Sequence, residues 1–407
     1  MSRTRPKVKS GRADLLFVLE LLIMYRILCT YVPAVSVWSP TIINMPVLGL
    51  LYLLFIYFIG AEGIVKIFER VFPVILLYVV NDVMRSGFSM ADVIMSIMRL
   101  LVWPVGMYIF YKYNGVGNAR RILLVFVASV VATMLTTYYG NIEFPGISRA
   151  MAHFHADGMA EQSRFFKRLN IGDFDFVYTL PFLPPFAIFC FKKVSKIWLK
   201  ALSVGFCVVL ALTIYEAHYT TALVTSALSV TLLILPNNIS MKKMIVYYVL
   251  IAVVLVGASS TVSSLLGMAS DTTDAGVYAE RFQNMSDMMS GNDIGEGNTA
   301  NRIMLYQKSL MAFLEHPILG GAPGGHSMIL DMMGRGGFFG LFVIIIGLMG
   351  LYKNYVQYYR NQPLSEYCVY LFVLQIMLGL LNPVLCLEPF LLLIPLFSLS
   401  FNNVGNK

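Results

Sequence analysis

Ile197-Trp-Leu-Lys-Ala-Leu-Ser-Val-Gly-Phe-Cys-Val-Val-Leu-Ala-Leu-Thr-Ile-Tyr-Glu216 follows directly on Lys192, Lys193 and Lys196. The run has the length, about 20 residues, that a helix needs to cross ~30 Å of hydrocarbon. Its lysines gather at one end. Basic loops are retained on the cytoplasmic side of a membrane, so this segment reads as a transmembrane helix that starts inside.

The same pattern recurs along the chain. Helices are expected near 15–34, 43–60, 67–84, 91–111, 121–138, 175–191, 197–216, 219–236, 244–266, 337–353, 367–384 and 388–402. That is an all-α polytopic protein of roughly twelve spans, forming a single integral membrane domain over 1–407. Lys66, Glu69, Arg70 and Pro73 interrupt the start of the third helix. Asn382, Pro383 and Glu388 separate the last two runs, which read either as two spans or as one re-entrant hairpin. The composition agrees: 58% of the 407 residues are hydrophobic and 13% are charged, and the mean hydropathy is +0.72. A soluble chain carries about 25% charged residues, so there is too little charge here to cover soluble domains.

The first eleven residues contain Arg3, Arg5, Lys7 and Lys9, and Arg12 follows. With that tail inside, every second loop should be inside and basic. Those loops hold Lys66 and Arg70; Lys112, Arg120 and Arg121; the lysines before 197; Lys242 and Lys243; Lys353 and Arg360; and finally Lys407. Both termini are therefore expected in the cytoplasm. The apolar run after the tail is too long for a secretory signal, and further spans follow it. The net charge of +8 is topogenic and suits contact with anionic lipid; it requires no nucleic acid. Cys29, Cys190, Cys207, Cys368 and Cys386 lie in or at the ends of predicted helices, so they imply no disulfide framework.

Two large outer loops are expected, 139–174 and 267–336. All five histidines, His153, His155, His218, His316 and His326, fall on the outer face, together with Arg149, Arg164, Arg168, Arg281, Arg302 and Arg335. The positive-inside rule would not place these arginines outside, so the outer face has a use for positive charge. In the second loop, Ile303, Tyr306, Leu310, Phe313 and Leu314 recur at helical spacing, which predicts a helix over 300–315 with Asn298 or Thr299 as its N-cap. Arg302 falls at the edge of that stripe, beside Tyr306 and Ser309. The turn His316-Pro-Ile-Leu-Gly320-Gly321-Ala-Pro-Gly324-Gly325-His326-Ser327 then leads into another helical stretch. Glycine lets backbone N–H groups converge on an anion, and arginine offers phosphate a planar fork. The alternative is a plain surface turn. Gly320 to Ser327 nearly matches a P-loop, but His326 stands where the lysine belongs and no strand precedes it.

In the first loop, His153-x-His155 alone is more often solvated than metal-binding. Asp173-x-Asp175 resembles the D-x-D of nucleotide-sugar transferases, against which its outer position argues. Within the bilayer, a Glu20–Arg99 pair between helices is preferred to a transport role, and Arg26 is expected to face a partner or a cavity.

Arg302-x-x-x-Tyr306-x-x-Ser309, His316-Pro317-x-x-Gly320-Gly321, His326-Ser327 with Asp331, Gly336-x-x-x-Gly340 and Pro145-Gly-x-Ser148-Arg149 together resemble the O-antigen polymerase and ligase superfamily, the Wzy-type polymerases and their ligase relatives. The hydropathy layout extends the resemblance over nearly the whole chain. It implies a GT-C-like membrane glycosyltransferase in the bacterial inner membrane, working at the periplasmic face without a metal or other cofactor. Such an enzyme takes a glycan from undecaprenyl pyrophosphate. A polymerase adds it to a sugar hydroxyl of another lipid-linked repeat unit, in lipopolysaccharide or capsule synthesis; a ligase adds it to a lipid core. A chain-length regulator and a flippase of the same pathway are implied partners.

On that reading Arg302, Arg149 and Arg281 hold the pyrophosphate with Tyr306, Gly321 and Gly325, while His326 takes the acceptor proton beside Arg302. The chain departs from the R-x10-G spacing described for some polymerases. Counted from Arg149, position 160 is Ala, and the nearest glycine is Gly158. A lipid-linked glycan flippase is the rival from another class. A transporter concentrates charge and broken helices near the bilayer midplane, whereas this chain concentrates its polar chemistry in the outer loops.

Overall fold

The computed structural model describes residues 10–39, 41–113, 115–154, 159–229, 298–360, 362 and 364–401, with 243 and 246 besides. The expected span at 244–266 and the end of the one at 219–236 lie outside the described residues. Every regular element described is helical. In chain order they are α1 (Ser10–Tyr31), α2 (Pro33–Trp38), α3 (Thr41–Ser86), α4 (Met90–Lys112), α5 (Val116–Glu143), α6 (Ile147–Phe154), α7 (Ala160–Arg168), α8 (Phe174–Thr179), α9 (Pro184–Lys193), α10 (Ile197–Glu216), α11 (Thr220–Leu228), α12 (Asn298–Glu315), α13 (Met328–Leu351), α14 (Ser365–Leu381) and α15 (Ile394–Phe401). Short π-helical turns, Tyr352–Gln357 and Pro389–Leu393, follow α13 and precede α15.

Six stretches among the described residues are long and apolar enough to cross a membrane: Ile43–Ser86, Met90–Lys112, Val116–Glu143, Phe174–Lys193, Ile197–Glu216 and Met328–Gln357. Ser365–Leu381 and Pro389–Phe401 are apolar but shorter. The stretch quoted at the outset shows why these are membrane helices. In α10 only Leu210, Thr213 and Ile214 are buried, while Leu202, Val204 and Val208 face outward. A helix that is apolar on its exposed faces too is matched to lipid, not to water. The chain is an α-helical membrane protein.

Local chemistry explains the helix ends. The Ser89 side chain caps α4 by accepting from the Asp92 N–H at 3.4 Å. Asp92 lies in the first turn of α4 and Lys112 in its last, each opposite in sign to the dipole end it meets. The runs expected at 43–60 and 67–84 are joined in one 46-residue element. Gly60 takes a non-helical conformation there (φ 72°, ψ 165°), which only glycine adopts cheaply, and so kinks the element. Beyond the kink the helix runs through Lys66, Glu69 and Pro73 without a break.

The chain divides into two compact units. The first comprises Met1–Leu232, Gly347–Leu364 and Cys386–Lys407. Within it α3 packs on α4, and α5 packs against α1, α10 and α15. A Cβ on Gly106 of α4 would lie 2.5 Å from Ile23 Cδ1, so the missing side chain is what lets α1 and α4 approach. Glu20 on α1 is fully buried, and its partner differs from the expected one. Arg121 Nε and Nη2 donate to its two carboxylate oxygens at 2.5 and 2.6 Å, and Asn118 Nδ2 donates at 2.6 Å. Both donors sit on α5, the helix that α1 packs along, and their spacing of three residues puts them on one face. Arg99, the expected partner, is on α4.

The second unit comprises Leu233–Ile346 and Ser365–Leu385. Its described part is α12, the glycine-rich turn, most of α13, and α14. The Ser327 hydroxyl donates to the Gly379 carbonyl of α14 at 3.1 Å. The Met328 N–H donates to the Asn382 carbonyl at 3.1 Å.

Candidate functional site

Helix α12 forms where its periodicity predicts, but it opens at Asn298, so Asn298 and Thr299 lie in its first turn. Its packed face lies beside the apolar stripe, part of which points outward. Ser309 and Ala312 are buried, whereas Leu310 and Leu314 are 43% and 60% exposed. The reason is backbone packing. A Cβ on Gly324 would fall 2.1 Å from the Leu305 carbonyl oxygen, and one on Gly334 would fall 2.6 Å from that of Ser309. The turn and the start of α13 lie so close on α12 that only small residues fit the seam, and the larger apolar residues are displaced to the outer face.

That packing consumes the amides expected to meet an external anion. The Gly321 N–H donates to the Gly334 carbonyl at 2.7 Å, and the Gly324 N–H to Ser309 Oγ at 2.8 Å. Gly325 N–H donates to Asp331 Oδ1 at 3.0 Å, Ser327 N–H donates to Asp331 Oδ2 at 3.0 Å, and the Ser309 hydroxyl donates to Asp331 Oδ1 at 2.6 Å. The anion in this nest is the protein's own Asp331. The Gly321 and Gly325 amides are thus bonded within the chain. The Tyr306 hydroxyl likewise donates to the Leu381 carbonyl at 2.7 Å.

Arg302 and His326 remain. Arg302 is half-buried one turn before Tyr306 and hydrogen-bonds its side chain. Among the described residues no carboxylate forms an ion pair with Arg302. His326 is exposed on the loop that Asp331 organises. Partial burial, then the Arg302 charge, lower its pKa below the ordinary histidine value, against a smaller opposing pull from Asp331. Its imidazole is thus neutral at pH 7 and able to accept a proton. Replacing Arg302 with Gln removes one cause of that lowering, so the His326 titration midpoint should rise. NMR titration of labelled histidine in detergent reads this without an activity assay, and an unmoved midpoint would separate the two side chains.

The first loop is built on its own in the other unit. Asn141 Nδ2 donates to Ser148 Oγ at 2.8 Å while Ser148 N–H donates back to Asn141 Oδ1 at 3.2 Å. Ile147, Met151 and Ile171 form a small core beneath α6 and α7. Arg149 follows Ser148, half-buried near Tyr219, and has no ion pair among the described residues. Arg164 pairs with Glu161 at 2.6 Å, and Arg168 lies 5.8 Å over Trp38. Their positive charge is used locally. Asp173 caps α8 by accepting from Phe176 N–H at 3.3 Å and pairs with Lys167 at 2.6 Å, which gives half of the D-x-D a structural task. Arg281 and His155 lie outside the described residues.

Arg302, Tyr306, Gly321, Gly325 and His326 thus belong to one unit, whereas Arg149 belongs to the other. The residue that sequence reasoning underrated is Asp331, which orders the whole turn. The helix-start pattern does not mark it, because that pattern puts the acidic residue three after the cap and Asp331 comes four after Ser327. No protein-family model matches the chain, and a search of curated proteins finds no significant match.

Proposed function

We propose that the protein is a membrane glycosyltransferase of the polysaccharide-polymerase type. It moves a glycan from an undecaprenyl-pyrophosphate donor to a sugar hydroxyl of a second lipid-linked repeat unit, on the non-cytoplasmic side. On this reading the chain makes roughly twelve passes, the number its apolar runs would fill, in a GT-C-like arrangement with both ends in the cytoplasm.

The observation that carries the reading is that Arg302, without a carboxylate partner among the described residues, shares a unit with the Asp331-ordered loop that presents His326, whose pKa is lowered by burial and the Arg302 charge. His326 removes the acceptor proton as the acceptor oxygen bonds to the donor's anomeric carbon. The bond from that carbon to pyrophosphate breaks, and the leaving group departs with an added negative charge. Arg302 meets that charge. Because the loop amides are bonded to Gly334, Ser309 and Asp331, the guanidinium is the donor this site offers the phosphate, and its planar fork fits two oxygens at once.

Deletion of the gene tests the reaction class. Loss of a polymerase should leave single repeat units on the surface lipid. Full-length polymer stranded on the carrier lipid would identify a ligase instead, and repeat units trapped facing the cytoplasm would identify a flippase.

A further inference from the structure

A second site lies in the first unit, away from the outer loops in sequence. It is a cavity of about 410 Å³, within the size range of small-ligand pockets. Its walls come from α3, α4, the π-helical turn after α13, and α15. Arg70, Asn354, Tyr108, Tyr111, Tyr355 and Tyr358 supply its polar atoms and rings, over a floor of aliphatic side chains. Among the described residues Arg70 is the one charged side chain that lines it.

The guanidinium of Arg70 is held in place. Its Nε donates to Asn354 Oδ1 at 3.4 Å, Asn354 Nδ2 donates to the Arg70 carbonyl at 2.7 Å, and its plane lies 4.5 Å over the Tyr358 ring. Among the described residues no carboxylate pairs with it. Two backbone irregularities open the space beside it. Pro104 lines one wall and lacks the N–H that would continue the α4 ladder, and Asn354 and Tyr355 come from the π-helical turn on the other. Tyr108, Tyr111 and Tyr358 are 43%, 51% and 52% exposed, as tyrosines are at the level of lipid headgroups.

We propose that this cavity binds the headgroup of an anionic phospholipid, with Arg70 on the phosphate and the tyrosine hydroxyls on the glycerol. A positively charged, acid-free pocket among apolar helices complements a phosphodiester that carries its own acyl chains into the surrounding hydrocarbon. The wall-forming elements end near Lys112, Lys353 and Arg360, so the lipid belongs to the cytoplasmic leaflet. That placement rests on the sidedness proposed above, but binding itself does not, because it is measured in detergent.

Purified full-length protein is mixed in neutral detergent with phosphatidylglycerol, phosphatidylcholine or inorganic phosphate, and bound lipid is counted by native mass spectrometry. Phosphatidylglycerol should be retained at least tenfold more tightly than phosphatidylcholine. Arg70→Ala should abolish that preference, and Arg70→Lys, which keeps charge without the stacking, should restore part of it. Equal retention of both lipids by the unaltered protein would overturn the proposal, and that arm needs no variant to fold. So would displacement of the lipid by millimolar inorganic phosphate, which would mark a site for a soluble anion. Retention of phosphatidylglycerol by Arg70→Ala at the original level would overturn it as well.

Discussion

If the protein transfers glycan as proposed, Arg302→Ala should lower the rate by about 10²–10³-fold, the ~2.7–4 kcal/mol that one lost charge-stabilising donor typically adds to a barrier. The magnitude follows from the site's economy of donors. Gly321, Gly324 and Gly325 point their amides at the protein itself, and the Tyr306 hydroxyl donates its hydrogen bond to the Leu381 carbonyl. Nothing in that cluster replaces the guanidinium. Arg302→Lys should recover only part of the rate, because an ammonium supplies charge without the bidentate fork. Arg302 is only half-buried and has no ion pair among the described residues, so its removal should leave the folded protein at its normal level. The measurement is conversion of lipid-linked repeat units by purified protein, beside the ladder of surface glycan in cells. Long chains made at the normal rate by Arg302→Ala would refute the assignment.

Asp331→Ala should act through the fold and be severe. The side chain accepts from Ser309, Gly325 and Ser327, and the residue is 9% exposed. Hydrogen bonds to a charged group contribute ~1.5–3 kcal/mol each, and donors left buried without an acceptor add a desolvation cost. Bonds sharing one carboxylate do not add in full, so a loss of about 3–5 kcal/mol is expected. Asp331→Asn should fare little better, since its amide NH2 must face one of three donors. The thermal midpoint in detergent and the expressed level read the effect. His326 activity should fall with stability, because this loop carries it. A variant Asp331→Ala that melted with the unaltered protein would mean that the turn is held by its glycine packing alone.

The contrast between Arg302 and Asp331 marks where sequence reading succeeds. Arg302 was found because an arginine is conspicuous in a loop where topology should not place one. Asp331 stood in the same motif without a role, because nothing local distinguishes a carboxylate that binds its own loop from one facing water. The glycines misled for the same reason. Four of them within six positions signal close backbone approach, and close approach is what the structure has, to Leu305 and to Arg335. What approaches is the neighbouring helix. On α12 apolar periodicity marks a face that avoids water, and Leu310 and Leu314 keep that property while Ser309 and Ala312 take the protein contact. In a membrane protein, lipid and protein both accept apolar side chains, so hydropathy does not tell them apart.

The amino-acid sequence by itself determined the all-helical, membrane-embedded class, the helix that carries Arg302, and the turn after it. These depend on the length of an apolar run, on spacing along one helix, and on glycine and proline, all properties of neighbouring residues. Tertiary structure alone decided that Glu20 meets Arg121 and not Arg99, that Asp331 occupies the glycine nest, and that Arg70 lies over Tyr358 in a cavity. A buried charge or amide bonds to whatever donor or acceptor packing brings within about 3 Å, and groups that the local chain does not hold together reach that distance only once the turn and the helices have packed.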